Sequence, residues 1–124
     1  MIDFENAKFF KLKTTDNDSY DKVLSPLLTE GEQVVAAFKS IRDGVVFTDK
    51  RIIAISVEGV TGTKKDITSL PYNKIQLFSI ETAGFMDVDC ELEVWFSTLG
   101  KLRFEFLRGA DIGKICRVIS DGCI

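Results

Sequence analysis

The chain has 124 residues, the length of a single domain, and 45% of them are hydrophobic, so neither a second independent core nor a disordered chain fits. Lysine and arginine number 16 against 19 acidic residues, a net charge of −3 that argues against a nucleic-acid partner and makes membrane lipid the minor reading. Histidine is absent, which removes the commonest general base and metal ligand; composition therefore speaks against an enzyme, and neither cofactor nor metal is expected.

Cys90, Cys116 and Cys123 are odd in number and lack any C-x-x-C spacing, which reads as reduced thiols. The opening MIDFENAKFFKLK is unlike a secretory signal, having two acidic residues before any lysine and no long apolar run. No apolar stretch approaches the roughly 18 residues of a spanning helix, so the expected location is the cytoplasm.

Residues 1–30 read as a helical segment. Asp3 is the candidate cap of a first helix carrying Phe4, Ala7 and Phe9 or Phe10, ending near the polar run Lys13 to Asp18. Tyr20, Val23, Leu24, Leu27 and Leu28 then fall at i, i+3, i+4, i+7 and i+8, with Asp18 or Ser19 as N-cap. Pro26 interrupts this pattern and suits a restart, with Ser25 as cap and Pro26 in the first helical position.

From residue 33 to 107 the pattern changes to seven strands: Gln33–Lys39, Gly44–Thr48, Arg51–Val57, Lys64–Leu70, Ile75–Thr82, Cys90–Ser97 and Lys101–Leu107. A helix over 111–121 closes the chain, capped by Asp111, with Ile112, Ile115, Cys116 and Ile119 on one face and Gly122 as C′ residue. Seven strands in series predict a mainly β, all-antiparallel barrel or sandwich, followed by one amphipathic helix.

Turn chemistry predicts two registers. A three-residue loop Thr98-Leu99-Gly100 pairs Ser97 with Lys101, placing Phe96 opposite Leu102, Val94 opposite Phe104, and Trp95 opposite Arg103. The Asp49-Lys50 turn pairs Thr48 with Arg51, Phe47 with Ile52, and Val45 with Ala54. The opposite face of that hairpin then holds Val46, Ile53, Ile55 and Val57, so both faces are apolar and something must cover the second. Ile75–Thr82 is similarly two-faced, with Ile75 and Leu77 against Phe78 and Ile80. Either the N-terminal helices or a neighbouring subunit can supply the cover.

Catalytic and ligand motifs fail on spacing. Gly59-Val60-Thr61-Gly62-Thr63-Lys64-Lys65 lacks the glycine that must precede a phosphate-loop lysine, and its G-x-x-G joins two strands where a nucleic-acid loop joins two helices. Asp87, Asp89 and Glu91 imitate the start of a calcium loop, but Leu92 stands where glycine is needed and Thr98 where the twelfth-position glutamate belongs.

The runs F-T-D-K-R-I-I-A-I (47–55), E-G-V-T-G-T-K-K-D (58–66), S-L-P-Y-N-K-I (69–75), F-S-I-E-T-A-G (78–84) and D-V-D-C-E-L-E-V-W-F (87–96) resemble the bacterial pleckstrin-homology (PH) domains over roughly residues 20–120. The resemblance implies a seven-stranded PH-like barrel with a C-terminal helix, no catalytic residues, and homo-oligomeric, ring-like assembly in at least some members. The phosphoinositide pattern of the eukaryotic relatives is incomplete: Lys39 and Lys50 are present, but Ile52 stands where an arginine belongs. The leading expectation is a non-catalytic module that self-assembles and serves as a protein-interaction scaffold, with Val46, Ile53, Ile55, Val57, Phe78 and Ile80 as candidate interface. The alternative is an anionic lipid or phosphate-binding module at the membrane surface using Lys39, Arg42, Lys64 and Lys65.

Overall fold

A computed structural model describes residues 2, 4, 8–58, 64–82 and 89–123. Among these residues eight strands follow one another: β1 (Lys8–Thr15), β2 (Val34–Lys39), β3 (Asp43–Thr48), β4 (Arg51–Glu58), β5 (Lys64–Pro71), β6 (Ile75–Thr82), β7 (Cys90–Phe96) and β8 (Gly100–Phe106). One helical turn, α1 (Asp21–Leu24), lies between β1 and β2, and helix α2 (Ile112–Cys123) ends the chain. The strands form one sheet in the order β5-β4-β3-β2-β1-β8-β7-β6. All neighbours are antiparallel except β1 and β8, which run parallel. The sheet curls into a half-barrel, and Ile115 and Ile119 of α2 plug it from one end.

The extra strand is β1, at residues expected to be helical. Phe9 and Leu12 both point into the core although they are three apart, a spacing that imitates a helix. The cause is a bulge: β1 pairs Phe9 with Phe104 but Leu12 with Phe106, and Lys11 adopts a φ of +51°. The inserted residue rotates the chain so that both side chains reach the same face. Phe9 stacks on Phe104, ring centroids 5.2 Å apart, and β1 thereby joins the two halves of the sheet. Asp3 and Ala7 lie outside the described residues.

The second segment is also less helical than its stripe suggests. α1 is a single turn whose N-cap position, Tyr20, makes no side-chain capping bond, while Ser19 Oγ lies 2.8 Å from Thr15 Oγ1. No second helix starts at Pro26; residues after Leu24 continue as turns, with the Leu27 and Leu28 amides donating to the Leu24 carbonyl. The apolar stripe keeps its role nonetheless. Tyr20, Val23, Leu24 and Leu28 pack on Val46, Ile53 and Ile55, forming a second core on the outer face of β3 and β4. Leu27 points to solvent.

The β3–β4 register matches the expectation, pairing Phe47 with Ile52 and Val45 with Ala54. The β7–β8 hairpin keeps its expected faces but slides by two residues: Phe96 pairs with Gly100, Val94 with Leu102 and Leu92 with Phe104. The loop is therefore Ser97-Thr98-Leu99, and Thr98 takes a left-handed φ of +67°. Trp95 meets Lys101, whose ammonium stands 4.9 Å from the ring centroid, where Arg103 was expected. Glu93 faces Arg103, and Glu91 faces Glu105, a like-charge pair.

A second bulge settles the two-faced strand β6. Ile75 pairs with Phe96, but Leu77 pairs with Trp95, so one residue is inserted between them. Ile75 consequently joins Phe78 and Ile80 against the main core, and Leu77 is left alone on the outer face. At the end of the chain, Asp111 Oδ1 accepts the Lys114 amide as the expected cap. Gly122 stays within α2 and packs against the Tyr72 ring, so it is not the C′ residue.

Candidate functional site

The six candidate interface residues divide. Val46, Ile53 and Ile55 are fully buried within the chain itself, beneath residues 20–28. They are the floor of an internal core and offer nothing to a neighbouring subunit. Val57, Phe78 and Ile80 are half-buried; Val57 sits at the end of β4, and the other two on the β6 edge.

The cover over Val46, Ile53 and Ile55 is fastened by a buried ion pair that the sequence reading missed. Arg51 Nε donates to Glu32 Oε2 at 2.9 Å and Nη2 donates to Oε1 at 3.0 Å. Thr48 Oγ1 adds a 2.7 Å bond to Oε2, and the Thr29 amide and hydroxyl both donate to Oε1. Burial alone would push the Glu32 carboxyl up; the donors from Arg51, Thr48 and Thr29 outweigh it and hold the group down at about 2. The only sequence signal was T-E-G-E followed by a T-D-K-R turn, which does not reveal that the two meet.

The outer face of β6, β7 and β8 has graded chemistry. One row holds Leu77, Trp95 and Lys101; the next holds Ser79, Glu93 and Arg103; the last holds Glu81, Glu91 and Glu105. Glu93 bonds Lys101 Nζ at 3.1 Å and Arg103 Nη2 at 3.4 Å, and Lys101 with Arg103 keeps its carboxyl below the usual carboxylate range. Glu91 pairs with Arg103 Nε at 2.8 Å, and Asp89 accepts the Arg108 amide, so these carboxylates serve surface ion pairs and a loop end. Asp87 lies outside the described residues. Among the described residues no group of three His, Cys, Asp or Glu is placed to hold a metal ion.

The expected basic residues lie toward the turn end of the β2–β3 hairpin, on β2, on β5 and in the turn itself. Lys39 shares a rung with Lys13 of β1, Val57 pairs with Lys65, and Glu58 pairs with Lys64. The Val57 amide donates to the Arg42 carbonyl, which sets Arg42 beside that rung. Lys50 occupies the opposite hairpin end, and Ile52 is buried in the core, so the three positions of the phosphoinositide pattern do not converge. Residues 59–63, with the G-x-x-G run, lie outside the described residues; Lys64 and Lys65 open β5. A cleft of about 520 Å³ adjoins the basic end, between Phe10 and Lys11 of the β1 bulge, the Ser40–Asp43 turn and Ser56–Glu58. Burial raises the thiol pKa of Cys90, Cys116 and Cys123, and all three are free. Among the described residues, no helix is long and apolar enough to cross a membrane.

A curled eight-stranded half-barrel with a C-terminal helix is the architecture of a PH-like domain. The sequence profile of bacterial PH domains matches residues 3–122, and the chain belongs to that family. It is 41% identical over 113 residues to the uncharacterized protein YjqA of Bacillus subtilis (strain 168), covering 90% of each chain. Similar crystal structures include two from Shewanella. One is a DUF1696 family protein with a pleckstrin-homology domain from Shewanella loihica PV-4, at 36% identity and a TM-score of 0.77, covering 92% of this chain and 98% of that one. The other is a pleckstrin homology domain from Shewanella amazonensis SB2B, at 40% identity and a TM-score of 0.64, covering 89% and 90%.

Proposed function

We propose that the chain is a non-catalytic PH-like module of the cytoplasm that assembles with copies of itself and, so assembled, acts as a scaffold for a protein partner. The free edge of β6 carries this reading. An edge strand exposes unpaired backbone groups, and natural sheets guard such edges with lysine, proline or short length. The β5 edge is guarded in that way by Lys64, Lys65 and Pro71. The β6 edge runs eight residues with Glu81 as its one charge, and Leu77 on it is 52% exposed beside Trp95 at 37%.

Because β5 is guarded and β6 is not, the contact is placed at the β6 edge, with Leu77 and Trp95 of one copy against a different surface of the next. Head-to-tail contacts of this kind produce a ring when the rotation closes. Light scattering at several protein concentrations is the test. The expected result is a stable multiple of 13.9 kDa. Leu77→Lys should reduce it to a folded monomer. A wild-type monomer at every concentration, or an assembly indifferent to Leu77→Lys, overturns the reading.

A further inference from the structure

Strand β6 ends the sheet, and among the described residues no strand pairs with its outer side. The bulge at its start distorts only the first residues. From Leu77 to Thr82 it pairs with β7 rung by rung, Leu77 with Trp95 through to Thr82 with Cys90. A regular stretch with one open side presents alternate backbone N–H and C=O groups to whatever strand comes next. The inner face of that stretch also lacks a neighbour. Phe78 and Ile80 pack against the main core yet stay half-buried, because the rung beyond them is empty.

On the outer face the same stretch presents Leu77, Ser79 and Glu81, all exposed. Each begins a row that crosses the sheet, and the row from Glu81 continues into Glu91 and Glu105, three carboxylates on adjacent strands. Like charges set directly opposite one another destabilise a sheet. Arg103 answers Glu91 at 2.8 Å, while among the described residues no cation pairs with Glu81 or Glu105. The row from Leu77 to Trp95 is apolar instead. Along one open edge the chemistry therefore runs from apolar to acidic within the span of Leu77 to Glu81.

That gradient specifies an occupant residue by residue. In a strand added antiparallel to β6, the residue beside Glu81 comes first, and those beside Ser79 and Leu77 follow at i+2 and i+4 on the same face. Glu81 calls for lysine or arginine, Ser79 for a small polar residue and Leu77 for an apolar one. The two intervening residues turn inward beside Ile80 and Phe78, where β-branched apolar side chains fit a half-buried pleated surface.

We propose that the β6 edge binds an extended segment of a partner protein as an added antiparallel strand, with the pattern basic, apolar, small polar, apolar, apolar set against Glu81 to Leu77. Main-chain bonds to the edge supply affinity, and the charge gradient fixes direction and register. This deepens the scaffold reading and rests on its open β6 edge, but it does not need the chain to assemble.

The probe is the synthetic peptide K-V-T-V-L, blocked at both ends and bearing a fluorophore, titrated with the full chain by fluorescence anisotropy. Wild type should bind it more tightly than E-V-T-V-L by roughly fivefold, the scale of one cross-strand charge pair, and the preference should shrink as salt is raised. Glu81→Lys, a change at an exposed position, should invert the preference. N-methylation of the peptide should weaken binding by roughly tenfold at alternate residues and little at those between, since only every second N–H faces β6. Absence of binding to K-V-T-V-L at low salt, equal affinity of wild type for the two peptides, a preference that Glu81→Lys leaves unchanged, or N-methylation with one effect at every position each overturns the proposal. Solution mass keeps the two readings apart. A monomer that binds the peptide removes the assembly alone, whereas an assembly sensitive to Leu77→Lys that ignores the peptide removes this proposal alone.

Discussion

Arg51 holds Glu32 in a fork, two parallel bonds of 2.9 and 3.0 Å, while the same guanidinium donates to the Leu27 carbonyl at 2.9 Å and to Ser69 Oγ at 3.0 Å. One side chain thus ties the cover segment to β4 and β5. The folded Glu32 pKa of about 2 lies below the unfolded value of about 4.3. Its contribution is therefore complete above roughly pH 5 and is lost as pH falls from there through about 2. Thermal melts from neutral to acid pH should show the wild type losing stability across that window. Glu32→Gln should begin about 3 kcal/mol lower, as expected for breaking a buried pair, and lose less across the same window. Parallel pH profiles for the two proteins would remove Glu32 as the source.

Tyr20 lies directly over Gly44, and a Cβ at residue 44 would overlap the ring at Cζ and Oη. The glycine is required by that close approach, since its φ is unexceptional. Gly44→Ala should destabilise by about 1–3 kcal/mol, because the ring must lift from the sheet and take part of the cover with it. In a double-mutant cycle with Tyr20→Ala, the combined loss should fall well short of the sum. Strict additivity would show that the ring does not rest on the glycine.

The elements legible in the sequence are those with unbroken periods and short turns. The β3–β4 hairpin was read to the residue because both faces and a two-residue turn agree on one register. The β7–β8 faces were read correctly and the partners were not, because a shift of two keeps every side chain on its own face, and Thr98 accepted the left-handed conformation that the reading reserved for Gly100. The misreadings of β1 and β6 share one cause. In β1 and β6 a bulge puts residues three apart on one face, Phe9 with Leu12 and Ile75 with Phe78, and that spacing is the mark of a helix or of a two-faced strand. The Glu32–Arg51 pair was hidden for another reason: it joins residues brought together only when the 20–32 segment folds across the sheet. Of the candidate sites, the basic residues are expected from their type alone, whereas the β6 edge becomes visible only once topology fixes which strand ends the sheet.

Ile53 separates a subunit interface from an internal floor. Were it an interface residue, Ile53→Asp would yield a folded monomer. It is 1% exposed and packed with Leu24, Val46 and Ile55 in the second core, where a carboxylate would be buried among apolar side chains. The substitution should therefore cost more than about 4 kcal/mol and abolish the cooperative melt. A folded, cooperatively melting monomer would mean that the 20–28 cover lifts away without loss.

Helix α2 carries two glycines for which the same substitution should have opposite signs. At Gly113 a Cβ meets only the far end of Arg117, Nη1 at 3.2 Å, and Asp111 Oδ1 at 3.6 Å, and the arginine can swing aside. Gly113→Ala should raise stability by a few tenths to about 1 kcal/mol, the ordinary helix preference of alanine over glycine. At Gly122 a Cβ would come within 2.5 Å of Tyr72 Cδ2 and 2.6 Å of its Cβ. Tyr72 cannot yield in the same way, being fully buried with its hydroxyl donating to the Thr48 carbonyl at 2.6 Å. Gly122→Ala should lower the melting temperature as the last turn of α2 is pushed from the barrel end, by about 1–3 kcal/mol. Tyr72→Phe, which keeps the ring and removes only the hydroxyl, should cost about 1–2 kcal/mol by removing that buried bond. Melts of the three variants against wild type decide the matter: equal effects of the two alanines would mean that α2 does not rest on Tyr72.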